Sequence, residues 1–239
     1  MRFNQDEPET VRWINDVIER DECLWDIGAN VGVYSLYAGL RFNGTNLVIA
    51  FEPGAHNFSA LVDNIRLNKL ENCIKPYCVA LGSSTKSGEL HMRKVDVGEA
   101  GHSYGSPENT DGPFIPIYSQ PTLAFSIDDL CQLLHLPLPD HIKIDVDGSE
   151  DRILSGARQT LHHVKTVLVE SNELNRSAEW RQKLFDILRE SGFEEDTSFA
   201  RAHAQCRNRL FRNLQVSMLW LSVCLQGLVS DFGSLVPGI

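Results

Sequence analysis

Apolar residues along the chain fall alternately at helical spacing and in short continuous runs. Val11, Ile14, Val17 and Ile18 recur on one helical face and predict a short helix within residues 1–20. Cys23–Ile27 is a compact apolar run and reads as a strand. Val31–Leu40 is apolar nearly all round, which predicts a buried helix. Leu47–Phe51 reads as a second buried strand, stopped by Glu52-Pro53-Gly54. Phe58, Leu61, Val62 and Ile65 give an i, i+3, i+4, i+7 helix, and Ile74–Leu81 a third strand. Gly88–Met92 predicts a short extra strand. Ser126-Ile127-Asp128-Asp129 is a capping-box start for a helix through Leu134. His141–Val146 is a fourth strand, and Ser149 can cap a helix carrying Ile153, Leu154, Ala157 and Leu161. Thr166–Val169 is a fifth strand. Trp180, Leu184, Ile187 and Leu188 mark one more helix, which Gly192 suits as a stop, and Arg209–Phe211 a late strand.

Strands that alternate with helices make βαβ units, and continuous apolar strands are covered on both faces. The expected fold is therefore α/β: a Rossmann-like, doubly wound, mostly parallel sheet, occupying residues 21–213 behind the N-terminal helix. Two stretches stand apart. Residues 98–121 are rich in Gly and Pro and long for a connection, so they are a candidate lid or substrate loop, with a passive insertion equally open. Residues 214–239 form an apolar tail with a single charge, Asp231. A packed helix, an oligomer contact and a segment without a role all fit it.

The chain has 239 residues, enough for one α/β domain, and a net charge of −10. That charge repels phosphate backbones, so general nucleic-acid binding is not expected. The basic exception, Arg201, Arg207, Arg209 and Arg212, reads as a solvated, salt-bridged face in preference to a phosphate or anionic substrate site. Cys23, Cys73, Cys78, Cys131, Cys206 and Cys224 include no C-x-x-C pair, which fits a reducing cytoplasm. The start, Met1-Arg2-Phe3-Asn4, lacks the pattern of a signal peptide, and no apolar run reaches the length of a spanning helix.

Ligands of doubly wound sheets bind outside the carboxyl ends of the strands. Here those ends are Asp26-Ile27-Gly28-Ala29-Asn30-Val31-Gly32, Glu52-Pro53 and Asp145-Val146-Asp147-Gly148. Gly28 and Gly32 permit a tight turn close to a ligand. A dinucleotide would want G-x-G-x-x-G, but the middle position is Asn30. Asp26, just before the turn, suits a ligand with an amino group or positive charge better than one with two phosphates. The methionine half of S-adenosylmethionine carries an ammonium, a carboxylate and a sulfonium. Glu52, 20 residues beyond Gly32, can accept both hydroxyl protons of a ribose. Asp26 and Glu52 are therefore expected to share one cavity. Lys143 and Asp145 lie on one face of the fourth strand, and Lys143 needs a carboxylate partner there. Asp145 is the candidate general base. Asp147, Glu150 and Glu170 are weaker candidates, His162-His163 reads as structural, and His102 as a loop histidine. No metal constellation stands out.

Several pieces resemble the FkbM family of methyltransferases: Leu24–Gly32, Ala50-Phe51-Glu52-Pro53, Asn64–Asn68, Val79-Ala80-Leu81-Gly82, Ser126–Leu130 and Ile142–Glu150. The resemblance runs from about Asp21 to Phe211. It implies a class I methyltransferase fold, S-adenosylmethionine as donor, and oxygen methylation of a hydroxyl on a sugar or secondary metabolite. It also places Asp26, Gly28, Asn30 and Gly32 at the methionine end of the cofactor, with Ala29 and Pro53 in the same site. Glu52 would lie at the ribose, and Ala80 and Leu81 near the adenine. The family more often has Glu where Asp147 stands, and the 214–239 tail has no counterpart. The rival readings are an NAD(P)-dependent oxidoreductase or epimerase and a non-catalytic nucleoside-binding module.

Overall fold

The computed structural model describes residues 7–109, 111–171, 177–201 and 207–216. Cys206, Cys224 and most of the 214–239 tail lie outside the described residues. In chain order the main elements are α1 (Pro8–Asp16), β1 (Cys23–Ile27), α2 (Val33–Arg41), β2 (Leu47–Phe51), α3 (Ala55–Leu67) and β3 (Ile74–Tyr77). They continue with β4 (Ala80–Leu81), β5 (Lys86–Met92), β6 (Ser103–Tyr104), β7 (Glu108–Asn109), β8 (Gly112–Pro113), β9 (Tyr118–Phe125), α4 (Ile127–Leu134), β10 (His141–Ile144) and α5 (Glu150–Ser155). The last are β11 (Thr166–Glu170), α6 (Ala178–Glu190), β12 (Phe193–Glu195), α7 (Thr197–Arg201) and β13 (Asn208–Asn213).

The seven-stranded sheet has the order β12-β13-β11-β10-β1-β2-β3. Strands β3, β2, β1, β10 and β11 run parallel, and β13 is antiparallel to both its neighbours. Period-2 alternation divides the core between the two faces. Trp25, Ile27, Phe51, Ile142, Ile144 and Val169 pack with α4, α5 and α6 on one face. Leu24, Val48, Ala50, Leu168 and Leu210 pack with α1, α2 and α3 on the other. Asp26 and Lys143 are register partners on adjacent strands, and the same alternation sends both to the α1–α3 face.

Four expectations change. The third strand ends at Tyr77, because the chain turns at Cys78-Val79 and Ala80–Leu81 pairs instead with β9. Helix α2 is not buried all round: Ser35, Ala38 and Gly39 face the sheet while Leu40 is 53% exposed, since the helix has a solvent side. Residues 98–121 are not one structureless loop. They supply β6, β7, β8 and the start of β9, and a side sheet of order β4-β9-β5-β6 stands over the carboxyl edge of the main one. Capping by Ser126 is as expected, its hydroxyl accepting from the Asp129 N–H at 3.1 Å, whereas Ser149 makes no side-chain cap bond. Among the described residues no helix is long and apolar enough to cross a membrane.

Candidate active site

A left-handed turn follows β1, with Gly28 at φ +81°, Asn30 at φ +51° and Gly32 at φ +91°. A Cβ at Gly28 would stand 1.8 Å from the carbonyl oxygen of Asp145, so only glycine lets the ends of β1 and β10 meet this closely. Four of the turn's N–H groups are already occupied. Gly28 and Ala29 donate to the Phe51 carbonyl at 3.0 Å each, and Gly32 to the Ala29 carbonyl at 2.8 Å. Asn30 N donates to Glu52 Oε2 at 2.9 Å, and Gly54 N to Glu52 Oε1 at 2.8 Å. The carboxylate that ends β2 thus clamps the turn that ends β1.

Between these strand ends lies a cavity of about 280 Å³. Seven of the candidate residues line it: Gly28, Asn30, Glu52, Pro53, Ala80, Leu81 and Asp145. Asp26, Ala29 and Gly32 do not. Asp26 is 1% exposed and sits beneath the floor, where its Oδ2 accepts from the Ser35 hydroxyl at 2.6 Å. The expected sharing of one cavity by Asp26 and Glu52 is therefore corrected: strand alternation turns Asp26 inward. Ala29 is buried in the α1–α3 core, and a Cβ on Gly32 would meet Leu61 at 2.4 Å, so this glycine serves packing.

One end of the cavity is apolar, with Val79, Ala80, Leu81, Leu90 and Ile153. Across β1, at the ends of β10 and β11, the lining is acidic: Asp145, Asp147 and Glu170, joined by Glu7 from the N-terminal segment. Beneath it Lys143, 2% exposed, donates to Asp145 Oδ2 at 2.9 Å, stands 4.0 Å from Asp26 Oδ1, and lies 4.9 Å from the Tyr34 ring centroid. Burial alone would lower the pKa of the ammonium, but Asp145, Asp26 and Glu7 overcome it and push it up. Burial pushes Asp26 up, against the pull of Lys143 and Ser35. The Asn30 Oδ1 and His102 Nδ1 atoms are buried and make no hydrogen bond among the described residues. Burial lowers the His102 pKa; Glu99 opposes this and His56 adds to it.

The sequence model of the methyltransferase FkbM domain matches residues 26–199. The chain belongs to the FkbM methyltransferase family. The hexuronic acid methyltransferase AglP of Haloferax volcanii is 27% identical over 164 residues, which are 69% of this chain and 62% of that protein. The chain thus spans less than two thirds of that relative. The crystal structure of a methyltransferase FkbM from Methylobacillus flagellatus KT superposes with a TM-score of 0.56 at 17% identity, covering 86% of this chain and 48% of that one. The fold is that of a class I methyltransferase.

Several residues of this FkbM site carry no local signal in the sequence. Glu7 reaches the cavity only because α1 packs on the sheet, and Asn57, Glu99 and Tyr104 because the side sheet folds over it. Arg207, exposed, also lines the cavity. Two of its neighbours do form the expected ion pairs, Arg209 with Glu195 and Arg212 with Asp196, each at 2.8 Å.

The buried acids make stability depend on pH. Burial pushes Glu52 up to about 7, against the Gly54 and Asn30 N–H groups. Burial, then Asp145, Asp147 and Glu150, pushes Glu170 up to about 8. Above the usual carboxylate value of 4.5 the folded chain therefore holds more protons than the unfolded one. Stability then falls as pH rises through these folded values. Glu52→Gln is expected to flatten that fall by up to about 1.4 kcal/mol per pH unit, read from urea midpoints between about pH 5 and about pH 8. An unchanged slope would mean that Glu52 is hydrated.

Proposed function

We propose that this chain is an S-adenosylmethionine-dependent methyltransferase that methylates a hydroxyl oxygen of a sugar or a related metabolite. The observation that carries the cofactor choice is the clamp of Glu52 on the turn. A dinucleotide's pyrophosphate would need the N–H groups after β1, and those of Gly28, Ala29, Asn30 and Gly32 already have acceptors. The cavity is also acid-lined at the end where a ligand's ammonium and sulfonium would lie. Its volume, about 280 Å³, is near the lower end of the roughly 300–1,000 Å³ usual for small-molecule sites. Glu52 would hold the ribose hydroxyls, the walls at Val79, Ala80 and Leu81 the adenine, and the Asn30 carboxamide oxygen the ammonium.

Bound there, S-adenosylmethionine would supply an activated methyl group. The protein's part is to position the acceptor and move one proton. Asp145 is our candidate base: it lines the cavity at the end of β10, and the Lys143 ammonium orients its carboxylate. Glu170 shares a hydrogen bond with Asp145, and burial and the neighbouring carboxylates raise its pKa. Arg207 is the guanidinium that would face an acidic acceptor, and the hexuronic acid specificity of the Haloferax volcanii relative supports sugar acids as the first acceptors to test. The test is transfer of radiolabelled methyl from S-adenosylmethionine to a panel of uronic acids, neutral sugars and amines, with product fragmentation. Label on an oxygen of a sugar is the expected result. Label on nitrogen alone would overturn the acceptor class.

A further inference from the structure

The side sheet reaches the cavity through one short crossing. Residues 98–102, between β5 and β6, span the carboxyl edge of the main sheet and are held almost wholly by side chains of other elements. Asn57 of α3 accepts from the Gly98 N–H at 2.8 Å and donates to the Glu99 carbonyl at 3.0 Å. Asn30 donates to the carbonyls of Gly98 and Glu99 at 3.3 Å each. At the far end, beyond β10, Asp147 Oδ2 accepts from the Gly101 N–H at 2.7 Å. Glu99, Ala100 and His102 of this crossing line the cavity.

The anchor beyond β10 is unusual in its backbone. Asp147 adopts φ +56°, a left-handed conformation that Asp and Asn tolerate far better than Glu or Ala. The conformation turns its side chain up to the crossing, whereas Asp145, two residues earlier, is bonded down to Lys143. A strap tied by side chains, without a strand ladder, opens at low cost when one tie is lost.

We infer that residues 98–102 are a strap that roofs the methionine end of the cavity, and that Asp147 is the positioning residue that latches it shut. This rests on the cofactor reading above. With the strap latched, Asn30 is held by its amide with its carboxamide oxygen buried and unpartnered among the described residues, and His102 is kept on the cavity wall. With the latch lost, the strap leaves Asn30 and the cavity opens to water.

The test compares Asp147→Gly, which relieves the left-handed backbone but removes the acceptor, with Asp147→Asn, which keeps both. Amide exchange at Gly101 is measured on the free full-length chain, and S-adenosylhomocysteine affinity by calorimetry. Loss of a hydrogen bond to a charged group is worth about tenfold or more. Asp147→Gly is therefore expected to speed Gly101 exchange, and weaken S-adenosylhomocysteine, by about tenfold each. Asp147→Asn is expected to restore both to within about threefold. S-adenosylhomocysteine is expected to slow exchange across 98–102 in the native chain. Unchanged Gly101 exchange in Asp147→Gly overturns the latch, as does failure of Asn to restore it. Faster exchange with unchanged affinity overturns the roof. Native protein that shows the exchange contrast but binds no S-adenosylhomocysteine overturns the cofactor reading itself, and with it the roof.

Discussion

Asp145→Asn is expected to lower kcat by about 10²–10⁴-fold, the usual contribution of a general base, while S-adenosylhomocysteine affinity stays close to native. The substitution keeps an oxygen to accept from Lys143, whose ammonium lies 2.9 Å from Asp145 Oδ2, so the local geometry is preserved. The neighbouring Glu170 is the carboxyl that could take its place: it is pushed up to about 8 in the native chain, but the substitution removes the Asp145 charge and hydrogen bond that contribute to that rise. Residual activity in the variant is therefore expected to rise with pH as Glu170 ionises, with a midpoint below the native Glu170 value. Single-turnover methyl transfer across a pH series reads both effects. Native activity in Asp145→Asn at pH 7 would remove Asp145 from the role of base.

Gly28→Ala is expected to bring the largest loss of stability. The added methyl would stand 1.8 Å from a backbone oxygen of Asp145, and that strand end is itself bonded back to Ile27 by the Asp145 N–H at 3.0 Å. Neither partner is a flexible side chain. Left-handed strain costs roughly 1–3 kcal/mol and forced overpacking roughly 1–3 kcal/mol, so a loss of about 4 kcal/mol is expected and the chain should accumulate as aggregate at 37 °C. Gly32→Ala is the contrast: its methyl would meet the tip of Leu61, which can shift, so the loss should be smaller. Urea midpoints of the two variants decide it. A Gly28→Ala protein within about 1 kcal/mol of native would show that β1 and β10 do not meet as described.

The parallel strands were legible because they are buried on both faces, so runs such as Cys23–Ile27 and Val167–Val169 are apolar, with Asp26 the one interruption. Of the side sheet only β5 was, as the strand expected at Gly88–Met92. Strand β9 contains Gln120, Pro121 and Thr122, and only alternate residues such as Thr122 and Ala124 are buried, so its pattern resembles a loop. Its register with β5 and β4 is set by contacts far away in sequence. The same limit applies to the site. Glu52, Pro53, Asp145 and the glycine turn follow from strand ends, which the sequence marks directly. Whether Asp26 faces the ligand depends on the pleat of β1, and pairing opposite Lys143 turns it below the floor. Glu7, Asn57 and His102 enter the cavity from elements whose packing the sequence does not encode locally.

The central claim is that a carboxylate-clamped turn holds an adenosyl amino acid and not a dinucleotide. Parallel calorimetric titrations of the full chain with S-adenosylhomocysteine and with NAD test it most directly. Saturable binding of S-adenosylhomocysteine, lost in Glu52→Ala, with no heat from NAD, is the predicted result. Binding of NAD, or S-adenosylhomocysteine binding that is indifferent to Glu52, would contradict it.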